Sequence, residues 1–198
     1  LLIDHDNKYK LNFYQGDTLK LDIKDKFNLL NFDAIIGNPP YNPPGCKGIG
    51  NSIWQSFTKL SIDKWLKKNG LLLFVHPPGW RKPNSKRSTF YGFFNKMTKD
   101  NQMIYLSIHG IKDGKETFNC GTRYDWYLIQ KTPKYKNTDV CDVKGEIGDF
   151  DMDKFNWLPN SNIKLVEKLI DKPYKLDILY NSNFSRINKK IVSKVETE

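Results

Sequence analysis

FDAIIGNPPY occupies residues 32–41, and its reading decides the fold. Ala34, Ile35 and Ile36, bounded by Asp33 and Gly37, form a short apolar run with the composition of a buried parallel strand. The side chains that follow therefore fall at the carboxyl edge of a sheet, where open α/β sheets bind their ligands. Asn38 precedes a proline, which biases its backbone toward extended geometry, while Pro39 and Pro40 fix φ and remove two amide donors. What remains is a rigid bend that presents one amide side chain, bare carbonyls and the ring of Tyr41.

A bend of this kind suits an amine whose lone pair is delocalised into a ring or a carbonyl. The Asn38 side-chain oxygen and the Pro39 carbonyl can both accept hydrogen bonds from one NH2 group, favouring a pyramidal nitrogen aimed at an electrophile. Tyr41 can stack on a flat substrate, and no strong base is needed before the nitrogen has been alkylated. A Pro-Pro pair alone commonly ends a strand and does nothing more. The preceding asparagine, the following tyrosine and the strand leading in shift the balance to catalysis.

The segment resembles motif IV of S-adenosylmethionine-dependent amino-methyltransferases, and NPPYN is similar to adenine-specific DNA methyltransferases of restriction-modification type. The resemblance implies a partial Rossmann-like α/β sheet whose last strand is antiparallel. It also implies methyl transfer from S-adenosyl-L-methionine to the N6 amine of a flipped adenine in DNA, with Asn38, Pro39, Pro40 and Tyr41 catalytic. Two other enzymes share the tetrapeptide's chemical problem: an RNA adenine methyltransferase and a protein glutamine methyltransferase of the release-factor type. The long stretch after residue 133 counts against the latter, and a degenerate DNA-binding subunit is the non-enzymatic alternative.

Composition sets the frame. The chain has 198 residues, enough for one domain with a core or one domain and part of another. A net charge of +10 suits a polyanionic partner, although an AT-rich genome would also raise the Lys and Asn content. Cys46, Cys120 and Cys141 are odd in number and lack metal spacing, which argues for a reducing compartment and against a bound metal. With no long apolar run and no signal peptide, the expectation is a soluble intracellular protein, cytoplasmic or inside a host cell, that has no membrane partner. A restriction endonuclease, as a domain or a subunit, is the partner the resemblance suggests besides DNA.

Residues 11–15 read as a strand ending at Gly16. By resemblance to motif III, Asp17, with Thr18 beside it, is expected to bind the cofactor adenine, although Gly-Asp-Thr also suits a plain turn or N-cap. Asp4 and Asp6 lie too close to Gly16 for a strand, a crossover helix and a second strand to fit between. The Gly- and Pro-rich stretch after Tyr41 is a loop, in which Lys47 could reach a nucleic-acid backbone. An amphipathic helix is predicted over residues 52–68, capped by Asn51 or Ser52 and stopped at Asn69 and Gly70. Its Phe57 is a core residue that, by resemblance, also flanks the cofactor adenine.

Residues 71–76 read as the next parallel strand, ending at His76, a lone histidine of structural character. A helix is predicted over residues 85–99, followed by strands at 103–109 and 123–131. The connection between those two strands is too short for a crossover helix, so the pair should be antiparallel. Phe118, just ahead of the second, occupies the place of the motif VIII aromatic that would cover the flipped base opposite Tyr41. A loop phenylalanine anchoring the hairpin is the equal alternative. Past Pro133 the pattern turns polar, then gives a helix over residues 161–171 with Ile163, Val166 and Ile170 on one face.

This divides the chain into 1–133, the carboxyl-terminal part of a catalytic domain, and 134–198, the start of a target recognition domain. Lys189, Lys190 and Lys194 in the second part face phosphates or simply solvent. The glycine-rich motif I is not found, and the resemblance begins at about the third strand of the sheet. The expectation is therefore a fragment that binds the cofactor poorly and is inactive alone.

Overall fold

Two apolar segments, β1 (Phe32–Gly37) and β2 (Leu66–His76), pair in parallel, with Ile35 opposite Leu72 and Gly37 opposite Phe74. A parallel pair needs a crossover, and here it carries α2 (Trp54–Leu60); α1 (Ile23–Phe27) lies ahead of β1. The structure is a computed structural model that describes residues 12–45 and 52–171. After β2 come α3 (Phe93–Thr98), β3 (Gln102–His109), α4 (Ile111–Phe118), β4 (Tyr124–Gln130), β5 (Thr138–Cys141), β6 (Ile147–Phe150) and α5 (Ile163–Ile170). The six strands form one mixed sheet in the order β1-β2-β4-β3-β5-β6.

β4 slots between β2 and β3 and runs antiparallel to both, as the short connection from β3 requires. That connection nonetheless holds α4, a helix too brief to carry the chain back across the sheet. Two further strands follow β4, and the last of them, β6, is again antiparallel to its neighbour. β5 adds to β3 in parallel and β6 folds back on β5, so the sheet continues through Pro133 and residues 138–150 belong to it.

Strand alternation gives the sheet two unlike faces. On one, Leu72, Phe74, His76, Leu106, Ile108, Tyr127 and Ile129 are buried, in a core shared with Trp54, Phe93, Phe94 and Met97 from the helices and Phe155, Leu158 and Ile163 from the last segment. Each such side chain contributes about 1.5–3 kcal/mol of burial. On the other, Ile36 is 77% exposed and Leu71 37%, while Leu73, Val75, Tyr105, Trp126 and Leu128 are half-buried. α4 meets that face at its Tyr124 end, where Phe118 and Thr117 pack on the buried tyrosine.

Several elements depart from the sequence reading. Residues 12–15 form no strand: β1 is the edge of the sheet and its outer side has no strand partner among the described residues. The helix expected over 52–68 ends in a π-helical turn, Ser61–Trp65. Leu66 already pairs with Phe32, Asn69 adopts φ 64°, and regular pairing resumes at Ala34 with Leu71. The helix expected over 85–99 shrinks to α3, because Asn84 and Ser88 bond to each other and to nearby backbone in a run of turns and Gly92 (φ 71°) breaks the periodicity. The helix expected over 161–171 is α5, and its Ile163, Val166 and Ile170 pack on the core as expected.

Candidate active site

The carboxyl ends of β1, β2 and β3 and the amino end of β4 share one edge, since β4 alone of the four is reversed. Asn38 leaves β1 at that edge with its side chain exposed, followed by buried Pro39, exposed Pro40 and half-buried Tyr41. Gly37 lets β1 sit close to β2: a Cβ there would stand 3.1 Å from the Phe74 ring. The Tyr41 carbonyl accepts from Ile53 N at 3.1 Å, so the loop after the motif returns to it just before α2. Cys46 and Lys47 lie outside the described residues, as does Asn51.

Beneath the edge is a buried aromatic stack. Trp54 stacks on His76 with ring centroids 3.7 Å apart, and Phe90 stacks on Trp54 at 5.1 Å. His76 Nδ1–H donates to the Pro77 carbonyl at 3.0 Å, which leaves Nε2 to accept from the Tyr127 hydroxyl at 2.8 Å. Burial drives the imidazole down to about 3, opposed only weakly by the backbone bonds, so it is neutral at ordinary pH. Both nitrogens are engaged and the residue is fully buried. His76 is a structural histidine, in agreement with the sequence reading.

Tyr124, at the start of β4, organises the other end of the edge. It lies flat on His109 (4.3 Å, 3°), meets the edge of Phe118 at 5.0 Å, and shares a 3.1 Å hydrogen bond with Thr117. The Tyr41 phenol is pushed up, first by burial and then by the neighbouring Tyr124. Of the two aromatic residues expected at the flipped base, Phe118 packs directly on Tyr124. Tyr124 was not singled out by the sequence; the signal lay in the register, which sets it opposite His109.

Behind this edge, Arg81 and Asp125 form a buried ion pair at 2.7 Å. Arg81 also donates to the carbonyls of Leu158 and Pro159, each at 3.0 Å, and to Asn160 at 2.9 Å. Burial pushes the Asp125 carboxyl up and the Arg81 charge pulls it back. Trp80 Nε1 and Asp125 Oδ1 are both buried without a hydrogen-bond partner among the described residues. The pair ties β4 and the turn after β2 to the segment at 158–160.

Asp17 is exposed and caps a 3-10 turn, Thr18–Lys20, with Oδ1 accepting from Leu19 N at 3.1 Å. Its other oxygen lies 3.6 Å from Lys20 Nζ. Thr18 is half-buried, and this turn rests against α2, the helix that carries half-buried Phe57. The elements carrying the three residues expected at the cofactor adenine are thus in contact, while Phe57 itself packs against the core. Among the described residues no cluster of His, Cys, Asp or Glu could hold a metal ion, and no helix is long and apolar enough to cross a membrane.

Fold and edge together define a mixed α/β sheet with a ligand-type carboxyl edge. Among solved structures, the fold is similar to a chain of a type I restriction-modification complex, at 14% identity and a TM-score of 0.49, over 79% of this chain and 32% of that one. It is also similar to the M protein of the type I restriction enzyme EcoKI, at 15% identity and a TM-score of 0.45, over 64% of this chain and 28% of that one. A putative class I S-adenosylmethionine-dependent methyltransferase from Listeria monocytogenes is similar at 14% identity and a TM-score of 0.38, over 58% and 38% of the two chains. The chain spans roughly a third of the length of these proteins. No family model matches the sequence, and no curated protein does.

Proposed function

We propose that the edge carrying Asn38 methylates the N6 amine of adenine in DNA, in a restriction-modification setting, and that residues 134–198 contribute to recognising the target. The observation that carries this reading is the NPPY bend at the carboxyl end of β1, on the same sheet edge as Tyr124, against which Phe118 packs. In this reading adenine leaves the duplex stack and enters beside Tyr41, with Phe118 toward its other face. The Asn38 side-chain oxygen and the Pro39 carbonyl accept the two N–H bonds of its amine and fix the lone pair in direction. Holding the nitrogen in line supplies much of the rate.

S-adenosyl-L-methionine, when bound, supplies a methyl group on a positively charged sulfonium. The described residues fit its adenosine end: Asp17 offers an exposed carboxylate, with Thr18 beside it, and Phe57 offers a half-buried ring on the adjoining helix. They include no glycine-rich loop for its methionine end. The proton leaves the amine after the methyl group has been gained, so His76, buried and doubly bonded, is not required as a base.

Expression of the complete gene, with host DNA, RNA and release factors digested and analysed by mass spectrometry, tests the reading. N6-methyladenine in DNA is expected. Asn38→Ala should lower its formation by about a hundredfold or more, the scale of losing one preorganised polar contact in the transition state. Methyladenine confined to RNA, or methylglutamine in its place, would overturn the proposal.

A further inference from the structure

Two clefts adjoin beside the turn that follows β2, and Lys82 and Pro83 form the ridge between them. The first, of about 350 Å³, is bounded by Arg81, Lys82 and Arg123 and by Trp157 and Asn160. The second, of about 380 Å³, contains Tyr91. No acidic side chain lines either one. Lys82 and Arg123 are exposed, as are Lys86 and Arg87 on the same loop, and none of the four enters an ion pair among the described residues.

The walls are held in place before any ligand arrives. Arg81 is buried, neutralised by Asp125, and spends its remaining donors on Leu158, Pro159 and Asn160, while Leu158 N donates back to the Arg81 carbonyl at 3.0 Å. Three prolines, Pro78, Pro83 and Pro159, stiffen the lining further. Trp157 is half-exposed and Tyr91 is 53% exposed, and neither ring packs on another aromatic side chain among the described residues. Partly exposed aromatic side chains beside unpaired cations, on a rigid surface without acids, match the chemistry of an unpaired polynucleotide strand. A duplex keeps its base faces inside the stack and would leave these rings unused. A free phosphate would use the cations and ignore the rings.

We infer that the two clefts form a track for a single-stranded nucleic-acid segment, whose bases stack on Trp157 and Tyr91 and whose phosphates lie on Lys82 and Arg123. Arg123 immediately precedes Tyr124, so the track runs up to the edge that carries Asn38. The inference rests on the nucleic-acid part of the proposed function and is independent of methyl transfer.

The test is a fluorescence-anisotropy titration of the 198-residue chain into a labelled strand of about twelve thymidines, without cofactor, at about 50 to 200 mM salt. The probe contains no adenine, so binding can persist even where the methylation reading fails. Saturable binding is expected, weakened about tenfold by Trp157→Ala and largely retained in Trp157→Phe. The double variant Lys82→Ala/Arg123→Ala should reduce the slope of log affinity against log salt by about 1.4, for two phosphates on a single strand. Lys24→Ala/Lys26→Ala, which removes the same charge from α1, should stay within about twofold of the parent. The inference is overturned if Trp157→Ala binds like the parent or if the α1 control loses as much as the cleft variant. Full displacement of the strand by millimolar inorganic phosphate would overturn it as well.

Discussion

His76 is fully buried, and its ring is used for packing and for two hydrogen bonds. Burial lowers its pKa to about 3, whereas an unfolded histidine titrates near pH 6.5. Between these values the unfolded chain binds a proton that the folded chain does not. Stability is therefore fully present above about pH 6.5 and declines toward pH 3, by up to about 1.4 kcal/mol per pH unit. Asp125 contributes with the opposite sign, because burial raises its carboxyl, so the histidine must be isolated by comparison. Urea denaturation at about pH 7 and pH 5 should show the parent losing about 2 kcal/mol more than His76→Gln, which keeps an acceptor for Tyr127. Equal losses in the two proteins would rule out His76 as the cause. At this scale Asn38 and Tyr41 were legible in the sequence, because two prolines after an apolar run fix where they sit. Tyr124 and the Arg81–Asp125 pair were not, because each acquires its role only when strands distant in sequence come into register.

α4 shows how one backbone position can set the geometry of an element and of the site beside it. Gly114 is buried beneath the turn that leads to β4, and a Cβ there would overlap the Thr122 carbonyl oxygen and stand 3.1 Å from that of Cys120. Helix propensity favours alanine over glycine by about 1 kcal/mol, but the clash is with backbone that cannot rotate away. Gly114→Ala should therefore destabilise the protein by about 1–3 kcal/mol in urea denaturation, against its propensity. An unchanged or higher midpoint would show that the turn yields. Phe118 closes the same helix against Tyr124, so the displacement would reach that ring pair too. The regular strands at 71–76, 103–109 and 124–130 were legible from their apolar runs. The two helices expected over 52–68 and 85–99 were overestimated, since the competing interactions were a pairing of Leu66 with Phe32 in one case and side-chain bonds of Asn84 and Ser88 in the other. Periodicity within a segment carries neither.

For the molecule as a whole, the short span between β3 and β4 was enough to dictate the antiparallel insertion, while β5 and β6 escaped notice. Each is four residues long, and only Val140 and Phe150 among their apolar side chains reach the core, so neither writes an apolar run into the sequence. The sheet that results buries one face and leaves the other exposed at its β1–β2 end, at Ile36 and Leu71, beside an edge strand whose outer side has no strand partner among the described residues. Exposed apolar faces and unpaired edges both favour association between chains. Ile36, 77% exposed on β1, stands where the two features meet. A lysine at that position repels a second copy from the face and from the edge at once. Ile36→Lys should therefore reduce self-association in sedimentation velocity at high protein concentration, and should leave urea stability within about 0.5 kcal/mol of the parent. Were Ile36 instead covered in solution, the buried ammonium would be poorly solvated and the variant would lose several kcal/mol. The two measurements thus separate an open face from a covered one, because exposure predicts a change in association without a change in stability and burial predicts the reverse.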